Sequence, residues 1–261
     1  MAAQDVKLPK MNMPKMKMPK MILFDYGHTL CHEPGFDGVR GTEAIMKYAA
    51  YNKDNLSAAE INAFAESVYR GITQDARNAG AEAHNLIYQR FVYEYLKIGF
   101  SLPNERIEQI FWDGASPGEM MPGADTVLDY LESNGIRSGV VSNMSFSGAN
   151  LAKRLDRLFP RHSFEFVIAS SEYMYRKPNK ILFELALRKA ELAPGDVWFC
   201  GDSVGNDIFG AAGAGIFPVW YHSVIECYYK ENKGNDERPA CEHLYIRNWP
   251  ELIEALENLK L

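Results

Sequence analysis

Residues Met21 to Leu30 read MILFDYGHTL, and this stretch decides the fold. Four apolar residues of strand length end on a single carboxylate, Asp25, and the turn-forming run Tyr26, Gly27, His28, Thr29 follows at once. An unbroken apolar run is what a strand covered on both faces requires. An acid at the end of such a strand has two readings. It either caps a turn, or it is presented at the carboxyl edge of a parallel sheet, where ligands bind.

Downstream, beyond SPGEMMPG, helical and strand patterns alternate. Helices are predicted in ADTVLDYLESNG, GANLAKRLDRLF, KILFELALRKAE and DIFGAAGAG, and strands in RSGVVSN, FEFVIAS, DVWFCGDS and IFPVWYH. This rhythm predicts an α/β fold with a doubly wound parallel sheet. Between the first strand and this block lie four segments with apolar residues at spacings of three and four: TEAIMKYAAY, SAAEINAFAESVYRGITQDARNA, AHNLIYQRFVYEYLKIGF and NERIEQIFWDG. Ser57 with Glu60 forms a capping box at the start of the second. The chain is therefore expected to comprise an α/β core over 21–35 and 116–261, a helical insertion over 36–115, and a leader over 1–20. The leader repeats Met-Pro-Lys, and Pro9, Pro14 and Pro19 prevent a regular helix, so it reads as flexible. Near the other end KENKGNDERPACEH reads as a loop and WPELIEALENLK as an amphipathic helix with Pro250 in its first turn.

The 261 residues are 47% hydrophobic and 24% charged, which suits an ordinary globular protein. A net charge of -6 offers no general attraction to nucleic acid or anionic membranes. The four cysteines, Cys31, Cys200, Cys227 and Cys241, are widely spaced, which fits a reducing cytoplasm. The expected partner is a small soluble molecule.

The polar residues at the predicted strand ends are Asp25, then Ser142 and Asn143, then Lys177 before Pro178, then Asp202 and Asp207 in GDSVGND. Each has a bland reading as a turn residue, a solvated charge or a helix cap. Together, in this order, they supply an anion, a hydroxyl, a cation and two further anions to one crevice. Magnesium-assisted phosphoryl transfer requires such a set.

The stretches FDYGHTL, VVSN, RKPNKILFELAL and CGDSVGNDIFGAAGAG together resemble the haloacid dehalogenase-like hydrolase superfamily, with the helical block in the position of that superfamily's first cap insertion. The resemblance implies a Rossmann-like core and a magnesium-dependent phosphatase acting on a small phosphorylated metabolite. It implies Asp25 as the nucleophile that forms an aspartyl phosphate, Ser142 and Asn143 as phosphate-binding groups, and Lys177 as the balancing cation. The metal would be held by Asp25, the Gly27 main-chain carbonyl, Asp207 and Asp202.

The phosphatases of this superfamily usually carry aspartate two residues after the nucleophile, where it moves protons. Here that position is Gly27, which has no side chain for the task. His28 is the candidate replacement, with Tyr26 beside it. The loss of the acid/base also opens two alternatives, a binding or regulatory protein with little catalysis and a 2-haloacid dehalogenase. In the helical insertion Arg40, Arg70, Arg77 and Arg90 read as solvated charges or as ligands for a second anion. Tyr69, Tyr88, Phe91, Tyr93 and Tyr95 read first as core and second as a stacking surface.

Overall fold

A computed structural model describes residues 16–223, 225 and 238–260. The opening strand β1 (Met21–Phe24) is fully buried. Ile22 and Phe24 face a core with Trp198, Leu252 and Trp249, while Met21 and Leu23 face a second core with Phe183 and Phe199. Two covered faces explain the unbroken apolar run.

After β1 the chain forms a short strand, β2 (Cys31–His32), and enters the helical insertion. This contains α1 (Gly38–Met46), β3 (Ala49–Asn52), α2 (Ala58–Asn78), α3 (Asn85–Tyr95), β4 (Ile98–Phe100) and α4 (Asn104–Ala115). The capping box at Ser57 and Glu60 is formed. The antiparallel pair β3–β4 corrects the purely helical expectation: the predicted first and third helices each stop early and give their last residues to this pair. The chain returns through β5 (Glu119–Met120), which pairs with β2.

The core then alternates α5 (Ala124–Ser133), β6 (Arg137–Ser142), α6 (Gly148–Leu158), β7 (Val167–Ala169), α7 (Lys180–Ala190), β8 (Val197–Gly201), α8 (Phe209–Gly213), β9 (Phe217–Tyr221), β10 (Leu244–Ile246) and α9 (Trp249–Asn258). One parallel sheet runs β10-β9-β8-β1-β6-β7. The doubly wound α/β fold stands as expected, and the sheet's central strand is the one that ends at Asp25. Its two neighbours are β6, which ends at Ser142, and β8, which leads into Asp202.

Residues 1–15 of the leader and 230–237 of the expected loop lie outside the described residues. Residues 16–20 differ from the flexible leader expected. Met16 and Met18 pack on the core, Lys17 and Lys20 pair with Asp196, and the Lys20 amide and carbonyl already bond to Asp196 and Arg137 (2.8 and 2.9 Å). Among the described residues no helix is long and apolar enough to cross a membrane.

Candidate active site

The parallel register carries three adjacent strands to one edge, and their ends deliver the polar groups. The Asp25 amide continues the ladder by donating to the Cys200 carbonyl at 2.9 Å, which fixes where the Asp25 side chain starts. Lys177 Nζ donates to Asp25 Oδ1 at 2.7 Å, lies 2.7 Å from Asp207 Oδ1, and donates to the Val141 carbonyl at 2.8 Å. Asp25, Asp202 and Asp207 each offer a carboxylate oxygen, and these atoms lie within 4.8 Å of one another. Residues 152 positions apart in the chain thus meet at one point.

Local structure explains how each side chain is held. Gly201 closes β8, and a β-carbon there would stand 2.5 Å from Asp207 Cγ, so glycine lets that carboxylate lie against the strand end. Beyond it the chain enters a single wide helical turn over Val204–Ile208, and Ser203 caps it by accepting from the Asn206 amide at 3.3 Å. The cap is therefore Ser203, and the Asp202 and Asp207 carboxylates remain in the acid cluster. The Ser203 amide in turn donates to Asp207 Oδ2 at 2.9 Å. Asn143 braces the lysine segment: its Oδ1 accepts from the Lys177 amide at 2.7 Å and its Nδ2 donates to the Lys177 carbonyl at 3.0 Å.

The electrostatics are those of anions crowded out of water. Asp25, Ser142, Lys177 and Asp207 are each at least nine-tenths buried, and Asp202 is half-open. Burial, joined by the charges of Asp25 and Asp202, pushes the Asp207 carboxyl up to about 7 against the pull of Lys177. Burial alone would lower Lys177, but Asp207 and Asp25 together outweigh it and hold the ammonium protonated. Buried Cys200 behind the cluster is held a thiol, first by burial and then by the same acids. Cys31, Cys200 and Cys241 carry free thiols.

The residues after the nucleophile position divide. Tyr26 turns into the core, with its ring 6.2 Å from that of Trp112, and burial raises its phenol far above the usual range, so it is no proton carrier near neutrality. His28 is buried with its backbone at φ 54°. That left-handed conformation costs a residue with a β-carbon roughly 1–2 kcal/mol. Gly27 is bridged to Cys31.

Most of the insertion's candidates go elsewhere. Arg40 donates to the carbonyls of Gly114 and Ala115 (2.6 and 2.9 Å), Arg70 pairs with Glu66 at 3.1 Å, and Arg90 is exposed. Phe91 and Tyr95 are 49% and 64% exposed, so the core reading of these two is corrected; α3 carries aromatics on more than one face. Tyr69 does approach the core, its hydroxyl 3.2 Å from Ser145 Oγ, and Arg77 Nη2 reaches that hydroxyl at 3.5 Å. Sequence reasoning passed over Glu82, Glu108, Ser145 and Arg176, which are buried or half-buried between the insertion and the strand-end loops. Nothing in a single sequence marks a glutamate as buried.

A family model for haloacid dehalogenase-like hydrolases matches residues 19–215, most of the chain and the segments that carry Asp25, Ser142, Lys177, Asp202 and Asp207. The chain belongs to the haloacid dehalogenase-like hydrolases. Within this family it is 35% identical over 106 residues to a glyceraldehyde 3-phosphate phosphatase of Methanothermobacter thermautotrophicus, a match covering 40% of the chain and 45% of that enzyme. The chain thus spans less than half the length of this relative. It is 26% identical to the pyrimidine 5'-nucleotidase YjjG of Escherichia coli, over 77% of the chain and 85% of that protein. Among solved structures, a HAD phosphatase from Thermococcus onnurineus overlays with a TM-score of 0.60 at 20% identity, covering 92% of this chain and 99% of that one. A 2-haloacid dehalogenase from Pseudomonas syringae overlays with a TM-score of 0.59 at the same identity and coverage. Phosphatases and dehalogenases of this fold are thus equally similar in shape, and the choice between activities rests on the side chains.

Proposed function

We propose that the chain is a phosphomonoester hydrolase acting on a small phosphorylated metabolite, with Asp25 as its covalent nucleophile and magnesium as its cofactor. The observation that carries this reading is the meeting of three carboxylates with one buried lysine at the end of the central strand. Hard oxygen donors clustered this closely suit a divalent ion. Asp25, Asp202, Asp207 and the Gly27 carbonyl would hold it, and when bound it supplies positive charge to the phosphate and the attacking carboxylate.

The chain's own groups divide the work. An Asp25 oxygen attacks phosphorus as the bond to the ester oxygen breaks, giving an aspartyl phosphate and an alcohol; water then cleaves that acyl phosphate, releasing inorganic phosphate and restoring the carboxylate. Lys177, already bonded to Asp25, offsets the charge gathered between carboxylate and phosphate. The Ser142 hydroxyl and Asn143 amide, at the end of the neighbouring strand, donate to the transferring group. With Gly27 in the usual acid/base position, the leaving oxygen takes its proton from His28 or from solvent, and turnover is slower than with a positioned carboxyl. The helical insertion serves as the cap that excludes water and selects the substrate. The names of the relatives, a triose phosphate phosphatase and a nucleotidase, support a small phosphorylated substrate. The three free thiols fit a reducing cytoplasm.

Gly27 favours one second reading, a protein that binds a phosphorylated ligand and turns it over negligibly. A panel of small phosphate esters, including p-nitrophenyl phosphate and a pyrimidine nucleoside monophosphate, separates the two. Phosphate release with magnesium that stops on chelation supports the hydrolase. Ligand binding with no release supports the binding protein, and halide release from a 2-haloacid that survives chelation would replace both with dehalogenation.

A further inference from the structure

The helical insertion places one carboxylate where the two catalytic loops meet. Glu82 lies in the connection between α2 and α3 and is 8% exposed. It pairs with Arg176, its Oε1 accepts from Ser145 Oγ at 3.2 Å, and its Oε2 accepts from Ser170 Oγ at 3.0 Å. The backbone repeats the connection: the Glu82 amide donates to the Met174 carbonyl (2.7 Å), the Arg176 amide to the Gly80 carbonyl (3.0 Å), and the Asn85 amide to the Ser145 carbonyl (2.9 Å).

The partners of Glu82 adjoin the proposed machinery. Arg176 immediately precedes Lys177, Ser145 is three residues beyond Ser142, and Asn143 holds the Lys177 peptide from both sides. Ser170 in turn receives the Met144 amide at 2.9 Å. A ring of polar contacts therefore runs from Met144 to Ser170, from Ser170 to Glu82, from Glu82 to Arg176, and back from Lys177 to Asn143. A buried network with every member paired fixes one arrangement, whereas a missing member leaves an uncompensated charge.

We infer that Glu82 is a positioning residue: seated with the insertion, its carboxylate locks the Ser142–Ser145 turn to the Arg176–Lys177 segment, and so sets Lys177 in register with Asp25 and Asp207. This rests on the reading of Asp25, Ser142 and Lys177 as the phosphoryl-transfer machinery. The insertion then both covers the crevice and completes its geometry, and an open insertion leaves the lysine segment unbraced.

The test uses the full chain with saturating magnesium and p-nitrophenyl phosphate. Glu82→Gln keeps the shape and removes the charge; kcat is expected to fall about 10- to 100-fold, the scale of a misplacement near 1 Å. KM is expected to change less than about twofold, because the loss lies in the chemical step. Adding Arg176→Met to Glu82→Gln should cost little more, since the two act as a unit, and it removes the unpaired arginine that would complicate folding of the single variant. Hydrogen exchange in residues 143–145 and 174–177 should accelerate in both variants. A purely structural ion pair predicts instead a lower Tm with kcat unchanged below the melting range, and that result would overturn the inference. Should the wild type hydrolyse no ester, the phosphatase reading fails on its own account. Exchange then still decides the clamp: faster exchange upholds the bracing of the two loops, and unchanged exchange removes it.

Discussion

Two charge clusters in this molecule, one around buried Arg154 and one around buried Lys177, are built differently. Around Arg154, on α6, the guanidinium meets Glu33 and Asp113 at 2.9 Å each, donates to the Ser116 carbonyl at 2.8 Å and lies 3.6 Å from the centre of the Trp112 ring. Arg157 approaches Asp113 at 3.5 Å, and Trp112 Nε1 donates to Glu33 at 3.0 Å. Two acids thus face two arginines. At the strand ends, Lys177 pairs with both Asp25 and Asp207, and Asp202 brings a third carboxylate into the same cluster. The first cluster is complete and ties the insertion to the core where the chain enters and leaves it. The second gathers carboxylates whose charge burial makes costly, and a divalent cation would stabilise them. Burial of charge does not by itself mark a site; several carboxylates gathered around one lysine at a sheet's carboxyl edge do.

Substitutions can break this contrast. Lys177→Met removes the cation bonded to the nucleophile, so turnover should fall by about 10²–10³-fold; magnesium-saturated kinetics check it, and near-normal kcat would show that the lysine only fills space. Arg154→Met breaks the balanced cluster and should cost about 3–5 kcal/mol of stability, measured by urea denaturation. The fraction that remains folded should retain its kcat, because the contacts of that cluster do not include Asp25, Lys177 or Asp207. Gly27→Asp should raise turnover of alkyl phosphates, with general acid help worth up to about 10²–10⁴-fold in the best geometry. A smaller gain is expected on p-nitrophenyl phosphate, whose leaving group needs no proton. A loss on both substrates would mean that the space at Gly27 is itself required.

The smallest effect is on pH dependence. The Asp207 carboxyl, pushed up to about 7, stands above its unfolded value of roughly 3.9. The native state therefore holds that proton more tightly, and the stability it contributes is full at low pH and is lost as pH rises from about 4 to about 7. With chelator, Tm should decline across the upper part of that window. Magnesium, which binds the ionised carboxylate, should flatten the decline, as should Asp207→Asn. A Tm that climbs through the window in chelator would remove Asp207 from this account.

The core was largely legible because its signals are local. MILF, RSGVVS and VWFCG are short apolar runs between polar turns, and their order along the chain sets which carboxyl ends carry Asp25, Ser142 and Asp202. The pair β3–β4 was hidden because AAYN and IGF are too short to break the helical spacing on either side. Burial of Glu82, Glu108 and Arg154 was equally invisible. Glu108 reaches from α4 to the start of α6, where it receives the Ser147 amide at 3.2 Å and Asn150 Nδ2 at 2.7 Å, and Asn85 Nδ2 donates to it from α3 at 3.0 Å. Such partners come from distant segments, and single-sequence patterning carries no trace of them. Tyr26 illustrates the limit at one position: its place beside the nucleophile suggested chemistry, and its ring packs on Trp112 instead.

The nucleophile can be tested in one comparison. Wild type and Asp25→Asn are assayed side by side for phosphate release from p-nitrophenyl phosphate in saturating magnesium, after circular dichroism shows both folded. Turnover by the wild type and none by the variant is the predicted result. Equal release by the two proteins would contradict the assignment of Asp25.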